Sequence, residues 1–325
     1  MPKRKIVLWM AGILILFILL IILLLFSGKK SPQSRTAFML DTVCTVTLYE
    51  WQGDSDEILN DTLEVCRQYE KLLSTTVSGS DIDRINHSNG QPVAVSKTTA
   101  DLLIDAGTYT DLSGGAFDIT IYPVKQLWHF GTNEERVPDQ KELEAALTLI
   151  DVRQMQIDSG TVTLPEGMGV DLGAVAKGFI ADEMGRCLRE HGVTSAIVDL
   201  GGNILTVGSR PDGKPWRVGI RRPFGDDNIA VQEVSDASVV TSGVYQRFFE
   251  QDHVIYHHLL DARSGKPCDT GLYSVTVIGA SSQQCDALAT VCMLLGYEKS
   301  VSLLRNYPDL EAVFVTSEGE VRYFG

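Results

Sequence analysis

The sequence is short of positive charge, with 28 Lys and Arg residues against 42 Asp and Glu residues. The first 30 residues contain five basic residues and no acidic residue, so the rest of the chain carries a formal charge of −19. A domain this acidic repels nucleic acid and anionic lipid, which excludes both as partners of its surface. An anionic substrate would need local compensation from a metal ion or from helix N-termini.

Several motifs of common functional sites are missing as well. None of the six cysteines belongs to a C-x-x-C pair, so we expect no zinc site and interpret the cysteines as small core residues. Gly201 and Gly202 lack the G-x-G-x-x-G spacing and lead into a strand pattern, which excludes a Rossmann site there. The G-x-S-x-G pattern is also missing, so a serine hydrolase is not expected.

A long apolar run is present at the N-terminus. Residues 6–26 contain no charged residue and are long enough to cross a bilayer as a helix. The run is longer than the apolar core of a cleaved signal peptide, and no cysteine follows it for lipid attachment. We therefore expect a cytoplasmic tail over residues 1–5, an uncleaved transmembrane anchor over 6–26, a polar linker over 27–36 and one domain over 37–325.

The orientation of this anchor does not follow from its flanking charges, because basic residues lie on both sides of residues 6–26. A very short N-terminal tail usually stays inside the cell. We therefore expect a single-pass protein whose domain lies on the extracytoplasmic side of the membrane.

The domain itself alternates between helical and strand patterns. Helices are predicted over residues 55–73, 97–113, 139–150, 174–191 and 282–295. Residues 116–131, AFDITIYPVKQLWHFG, have a strand pattern that breaks at Pro123. Strands follow one another through short glycine turns more often than through helices. This order predicts an α+β fold with mostly antiparallel or mixed sheets packed by helices, and not a doubly wound parallel sheet.

The segment GVDLGAVAKG, residues 169–178, has the composition of an anion site. Asp171 and Lys177 flank Gly173 at the point where a helix begins, and the N-terminus of a helix offers free N–H groups to an anion. A lysine in a first helical turn is slightly disfavoured by the helix dipole, and such local inconsistencies often mark functional positions. The alternative is that Asp171 simply caps a turn.

Residues 282–295 contain a second polar pair. Asp286 and Thr290 lie one helical turn apart, about 5–6 Å at Cβ. A carboxylate beside a hydroxyl is an all-oxygen pair that suits Mg²⁺ or Ca²⁺. The alternative is an Asp favoured by the helix dipole and a Thr bonded back to a carbonyl.

Two adjacent histidines, His257 and His258, lie in the strand pattern YHHLLDARSGKP. Neighbouring residues on a strand point to opposite faces, so only one of the two can belong to a given site. A surface or packed histidine is the alternative for either residue.

Taken in order, these stretches resemble a known family. They are GGAFDITIYPVKQLWHFG, VDLGAVAKGFIAD, LGGNI, WRVGIRRP, TSGVYQRFF, HHLLDARSGKP and SVTVIGASSQQCDALATVCMLLG. Their sequence and spacing resemble the ApbE family of FAD:protein FMN transferases, from about Ala37 to the C-terminus. The resemblance implies a bacterial, Mg²⁺-dependent enzyme that splits FAD at its pyrophosphate, transfers FMN to a Thr or Ser hydroxyl of an acceptor flavoprotein and releases AMP.

The resemblance also implies the acceptor class and the site residues. Typical acceptors are flavoprotein subunits of membrane redox complexes, which fits an enzyme attached to the bacterial cytoplasmic membrane. The implied metal ligands are Asp286, Thr290 and the backbone carbonyl of Ala174. The implied contacts to FAD are Ala116, Phe117, Asp118, Asp171, Lys177, His258 and Leu260. His258 is the candidate general base, and Asp286 acts in catalysis through the metal ion.

This chain departs from the family pattern in three places. Leu40-Asp41-Thr42 stands where Met-Gly-Thr is frequent, the turn 261–265 lacks the frequent proline, and Ala289 stands where some members carry an additional Asp. Some members hydrolyse FAD instead. The alternative functions are therefore an FAD pyrophosphatase that yields FMN and AMP, or a non-enzymatic flavin-binding protein.

Overall fold

The computed structural model describes residues 31–325. The predicted tail, the predicted anchor and residues 27–30 of the predicted linker lie outside the described residues. Within residues 31–325, none of the helices combines the length and the apolar character that crossing a bilayer requires. The end of the predicted linker is wrong, because the first strand begins at Gln33 and residues 33–36 already pair with the second strand.

The described elements alternate between strands and helices in chain order. The strands are β1 Gln33–Met39, β2 Thr42–Glu50, β3 Val93–Ala94, β4 Gln156–Asp158, β5 Thr161–Thr163, β6 Ser195–Leu200, β7 Asn203–Val207, β8 Trp216–Arg221, β9 Asn228–Val234, β10 Ser238–Gly243, β11 Phe248–Gln251, β12 Val254–His257, β13 Leu260–Asp261, β14 Lys266–Pro267, β15 Leu272–Gly279, β16 Glu311–Thr316 and β17 Val321–Phe324. The helices are α1 Ser55–Leu73, α2 Asp81–Asn86, α3 Lys97–Leu112, α4 Tyr122–Trp128, α5 Gln140–Leu147, α6 Ala176–Glu190, α7 Ser282–Leu295 and α8 Tyr297–Leu304, with 3-10 turns at Ile119–Ile121 and Val152–Gln154.

An eight-stranded sheet forms the centre of the fold, in the order β1-β2-β6-β7-β10-β15-β16-β17. Every neighbouring pair in it is antiparallel. Gly201 and Gly202 form the short turn between β6 and β7, one of the glycine turns expected between strands, and both have positive φ. The predicted α+β fold with antiparallel strands is confirmed.

The central sheet is covered on both faces. Val239 and Val240 are adjacent on β10, and their side chains belong to different apolar clusters because successive residues of a strand point to opposite faces. Val240 packs in the main core with α6 and α7, whereas Val239 packs against Trp216 and Ile220 of β8. The β8–β9 hairpin therefore covers the face opposite to the helices.

The predicted strand within residues 116–131 is wrong. Asp118 caps a 3-10 turn by accepting hydrogen bonds from the N–H of Thr120 at 2.8 Å and from its hydroxyl at 2.6 Å. Pro123 then lies in the first turn of α4, where its missing N–H has no cost. Val124 and Trp128 are i and i+4 on this helix and both are buried. Local capping therefore prevails over the β-branched residues of the segment.

Helices α6 and α7 approach each other unusually closely at Gly178. A Cβ at Gly178 would lie 2.4 Å from the carbonyl oxygen of Ser282, which only glycine avoids. Asp182 of α6 accepts hydrogen bonds from the N–H groups of Ser282 at 2.8 Å and Gln283 at 3.0 Å. In return, Asp286 of α7 accepts one from the N–H of Gly178 at 2.9 Å. Each helix thus binds the N-terminal part of the other.

We expect Gly178→Ala to destabilise the protein by about 1–3 kcal/mol, because the added methyl group would push backbone against backbone. Gly107→Ala is the matched control, since its Cβ would lie 3.3 Å from a side-chain methyl group of Val152 and would not approach backbone atoms. The control should change stability by less than about 1 kcal/mol. Urea denaturation of both variants measures the difference, and equal losses would contradict the tight contact between α6 and α7.

Candidate active site

A cavity of about 640 Å³ lies where the N-terminal part of α6, the side of α7, the ends of β6 and β10 and the segment 258–260 meet. Ten residues were predicted as site residues, and nine of them border this cavity: Phe117, Asp118, Asp171, Ala174, Lys177, His258, Leu260, Asp286 and Thr290. They come from parts of the chain up to 173 residues apart. The fold therefore brings the predicted residues to one place.

Three oxygen-bearing groups at this cavity could hold a divalent cation. Asp286 is buried, and its Oδ1 accepts no hydrogen bond from any described residue while Oδ2 accepts from Gly178. The hydroxyl of Thr290 lies one turn further along α7, 3.1 Å from the hydroxyl of Ser242. Because the N–H of Gly178 is bonded to Asp286, it does not bond to the carbonyl of Ala174 four residues earlier. That carbonyl therefore remains available.

This set of oxygens fits Mg²⁺ in chemical character. Carboxylate, hydroxyl and carbonyl oxygens are ligands that Mg²⁺ accepts, whereas a softer metal would require sulfur or nitrogen. Across residues 31–325 no cluster of three or more His, Cys, Asp or Glu side chains is present, so the carbonyl and the hydroxyl are needed to complete a site. Burial raises the pKa of Asp286 to about 6, against the opposing effects of Lys177 and the Gly178 N–H. The carboxylate thus lacks a full counter-charge.

Lys177 supplies an available positive charge beside these oxygens. It borders the cavity and makes no hydrogen bond or ion pair with any residue of the described part of the chain. Helix α6 also begins without a side-chain cap at Val175. The N–H groups of Ala176 and Gly178 are bonded to the Leu172 carbonyl and to Asp286, so in this first turn the Lys177 N–H is the group without a partner among the described residues. A free ammonium group at an uncapped helix N-terminus favours an anionic ligand.

Asp199, at the end of β6, is a site residue that the sequence did not reveal. Its Oδ1 accepts hydrogen bonds from the N–H groups of Gly201 at 3.0 Å and Gly202 at 3.4 Å, and the residue borders the cavity. Burial raises its pKa, against the opposing effects of those two N–H groups and of Lys177. Asp199 and Asp286 therefore both act on Lys177 from within the cavity.

Asp171 has a structural role, as the turn-capping alternative proposed. Its Oδ1 accepts from the N–H of Gly173 at 2.8 Å, and its Oδ2 forms an ion pair with Lys125. Burial would raise the pKa of Asp171, but the charge and hydrogen bond of Lys125, the Gly173 N–H and the charge of Arg247 together hold it below its ordinary value. Asp171 thus shapes the turn that presents Ala174.

The segment 116–118 forms part of the wall with different roles for each residue. Ala116 is fully buried and does not border the cavity, and its carbonyl accepts from the N–H of Ala262 at 2.9 Å. Phe117 is buried and borders the cavity. The carboxylate of Asp118 is engaged with Thr120 and with the N–H of Val152 at 3.1 Å, so it supports the wall.

His258 borders this cavity, whereas His257 lies on the other face of the strand and lines a different cavity, as alternation along the strand predicted. The carbonyl of Arg247 lies 3.1 Å from Nδ1 of His258. A carbonyl only accepts, so Nδ1 carries the proton and Nε2 retains its lone pair. Burial, with the nearby charges of Arg247 and Lys125, lowers the pKa of His258 to about 3, which keeps the ring neutral. A bound anion would raise this pKa again.

The turn between β1 and β2 forms one edge of the opening. Leu40 and Asp41, which replace the frequent family pattern, both have a φ of 55°. Leu40 donates its N–H to Glu70 at 2.6 Å, and Asp41 lies 3.8 Å from Arg247 across the cavity. Lys125 and Arg247 escaped the sequence analysis because their partners Asp171 and Asp41 are distant in the chain and no local pattern connects them.

The fold and the cavity together define a class: an α+β protein whose central cleft is suited to a divalent cation and an anionic, nucleotide-sized ligand. A model of the ApbE family matches residues 40–314. A Treponema pallidum protein named FAD:protein FMN transferase is 38% identical over 316 residues, which cover 91% of this chain and 87% of the relative. A Klebsiella pneumoniae protein of the same name is 35% identical over 294 residues, 89% of this chain and 90% of the relative.

Solved structures of ApbE proteins are also similar to this chain. The ApbE protein from Thermotoga maritima has a TM-score of 0.83 at 28% identity and covers 90% of this chain and 96% of its own. The apo form of the flavinyl transferase ApbE from Pseudomonas stutzeri has a TM-score of 0.80 at 30% identity and covers 92% of this chain and 95% of its own. The chain belongs to the ApbE family.

The low pKa of His258 predicts how stability depends on pH. The folded protein keeps the ring neutral down to about pH 3, whereas the unfolded chain protonates it near pH 6.5. The stability this provides is complete above about pH 6.5 and is lost as the pH falls from there toward 3. When the pH falls from about 7.5 to about 5, the free energy of unfolding should decrease by about 1–2 kcal/mol more in the parent protein than in His258→Gln. Gln is the matched control because its side-chain amide can still donate a hydrogen bond to the Arg247 carbonyl.

Urea denaturation of the two proteins at both pH values measures this difference. All other titrating groups are shared, so they cancel in the comparison. Parallel losses in the two proteins would show that His258 titrates normally in the folded state.

Proposed function

We propose that this protein is an FAD:protein FMN transferase, which cleaves FAD at its pyrophosphate, attaches FMN to a Thr or Ser hydroxyl of an acceptor flavoprotein and releases AMP. The relatives from Treponema pallidum and Klebsiella pneumoniae carry this name. One observation supports the proposal most strongly: Ala174, Asp286 and Thr290 line the same cavity as Lys177, which has no partner among the described residues. In so acidic a chain, this arrangement suits a pyrophosphate held with a divalent cation.

Mg²⁺ would be held by the carbonyl of Ala174, the carboxylate of Asp286 and the hydroxyl of Thr290. When bound, it supplies a Lewis acid that stabilises charge developing on the pyrophosphate oxygens. Lys177 contributes a fixed positive charge to the same ligand, and the N-terminus of α6 contributes the positive end of its helix dipole. Asp171 and Gly173 hold the turn that aims Ala174 into the cavity. Positioning and electrostatics of this kind provide most of the rate in phosphoryl transfer.

His258 is the proposed general base. Its Nδ1–H is held by the Arg247 carbonyl, so Nε2 is free to accept the proton of the acceptor hydroxyl as that oxygen attacks the FMN phosphorus. The hydrogen bond also fixes the orientation of the ring before the acceptor arrives. The proximity of the anionic pyrophosphate raises the basicity of the ring at the moment it is needed.

We further propose that the protein is bound to the bacterial cytoplasmic membrane by residues 6–26, with residues 37–325 on the extracytoplasmic side. The support is the uncharged apolar run alone. A subunit of a membrane redox complex is the proposed acceptor, since enzyme and acceptor would then share one membrane.

The transfer reaction can be tested with the full chain in detergent, FAD, Mg²⁺ and an unflavinylated subunit of a membrane redox complex. Mass spectrometry should find FMN on one Thr or Ser of the acceptor, together with an equal amount of AMP. Rapid AMP release with an unmodified acceptor would instead identify an FAD pyrophosphatase. FAD binding with neither product would identify a flavin-binding protein.

Thr290 permits a test of the proposed metal ligands with a matched control. Thr290→Val keeps the shape of the side chain and removes its oxygen, so the Mg²⁺ affinity should fall at least roughly tenfold. Thr290→Ser keeps the oxygen and should stay within about threefold of the parent protein. Isothermal titration with Mg²⁺ gives the affinities. Equal affinities for the Val and Ser variants would remove Thr290 from the ligand set.

A further inference from the structure

Strand β12 has one edge that no strand of the described residues covers fully. It pairs with β11 across a two-residue turn at 252–253, in which both residues have positive φ. In a hairpin with such a turn, hydrogen-bonded and non-hydrogen-bonded residue pairs alternate along the two strands. The bond from the His258 N–H to the Arg247 carbonyl shows that the pair 247–258 is hydrogen-bonded, so the pairs 249–256 and 251–254 are hydrogen-bonded as well. The main-chain N–H and C=O groups of Ile255 and His257 therefore point away from β11.

A neighbouring strand covers this edge only beyond His257, at Leu259. There, the N–H of Cys268 donates to the Leu259 carbonyl at 2.9 Å, so β14 and its extension occupy the neighbouring strand position. Beside Ile255 and His257 a cavity of about 610 Å³ takes its place. The cavity thus lies where the next stretch of a strand would run.

The walls of this second cavity suit a polypeptide. All four residues of β12 line it, together with the apolar residues Trp128, Pro138 and Leu143. At the outer end, Val254 and Ile255 are 48% and 44% exposed. A strand placed here would meet main-chain partners along one side and apolar surface along the other, which is how added strands are recognised.

His257 lines the same cavity. The residue is 7% exposed, and its Nε2 lies 3.1 Å from the carbonyl of Cys268. Since a carbonyl only accepts, Nε2 carries the proton and Nδ1 is an acceptor. Nδ1 is buried and has no partner among the described residues. A buried acceptor without a donor is unfavourable, but with almost no exposed surface this one is out of reach of a bound segment, so recognition rests on the main-chain edge.

We propose that the free edge of β12 and this cavity bind an extended segment of the acceptor protein as an added strand. The inference rests on the proposed function, because that function requires a polypeptide substrate. The main-chain groups of Ile255 and His257 pair with the segment. Because β12 continues directly into His258, the acceptor is held against the strand that leads to the proposed base.

Proline substitution tests the edge without disturbing the β11–β12 pairing. Ile255→Pro removes an N–H that points into the cavity, and proline is tolerated at strand edges when its position faces outward. Glu250→Pro on β11 is the matched control, because Glu250 lies directly opposite Ile255 and its N–H points to the other edge. Thermal unfolding shows whether both variants remain folded.

With full-length protein in detergent, Ile255→Pro should raise the KM for an unflavinylated redox-complex subunit at least tenfold. The Kd for FAD and the AMP release without acceptor should not change, and Glu250→Pro should match the parent protein throughout. A parental KM in Ile255→Pro would overturn the proposal. An Ile255→Pro variant whose sedimentation changes while its KM does not would also overturn the proposal, because the edge would then pair with a second copy of the chain.

A crosslinking experiment covers the case in which the proline variant does not fold. A benzophenone side chain at Val254 should crosslink to the acceptor, whereas the same group at Val231, which is 44% exposed on β9, should not. Equal crosslinking at both positions would refute docking at β12. If the parent protein releases AMP but never labels the acceptor, the proposed function itself fails, and the docking inference fails with it.

Discussion

The reciprocal hydrogen bonding between α6 and α7 is the interaction on which the site depends. Asp182 of α6 binds the N–H groups at the beginning of α7, and Asp286 of α7 binds the N–H of Gly178. The second bond does two things at once, because it anchors the carboxylate and releases the Ala174 carbonyl from its normal helical partner. Only a glycine at 178 allows this approach. The same contact therefore joins the helices and creates the proposed cation site.

Electrostatics then determine what the cleft can accept. The chain carries a formal charge of −14, yet four basic side chains border the cavity: Lys125, Lys177, Arg221 and Arg247. Three of them are paired with aspartates, which leaves Lys177 as the cation without a partner among the described residues. The acidic surface therefore repels anions in general, whereas Lys177 attracts them locally. This combination favours an anionic ligand that binds together with a cation.

Local signals predicted the secondary structure well where capping and turn chemistry agreed with the hydrophobic pattern. The beginning of the helix at residue 97, the short glycine turns between strands and the limits of the helix 282–295 are all confirmed. The strand prediction within residues 116–131 was wrong because their β-branched residues suggested a strand, whereas the Asp118 cap and Pro123 favour a helical turn. The outcome there depended on which of two local preferences packing would support.

For the site, the sequence by itself determined which chemistry is present: a carboxylate and a hydroxyl one turn apart, a lysine at a helix start and two histidines on opposite faces of a strand. These are short-range relations that chain geometry fixes. The tertiary structure alone decided that Lys125 neutralises Asp171, that Asp199 joins the cleft and that Arg247 fixes the ring of His258. Such contacts join residues that are distant in the chain or have no regular spacing, so only the packing of the sheet and helices could create them.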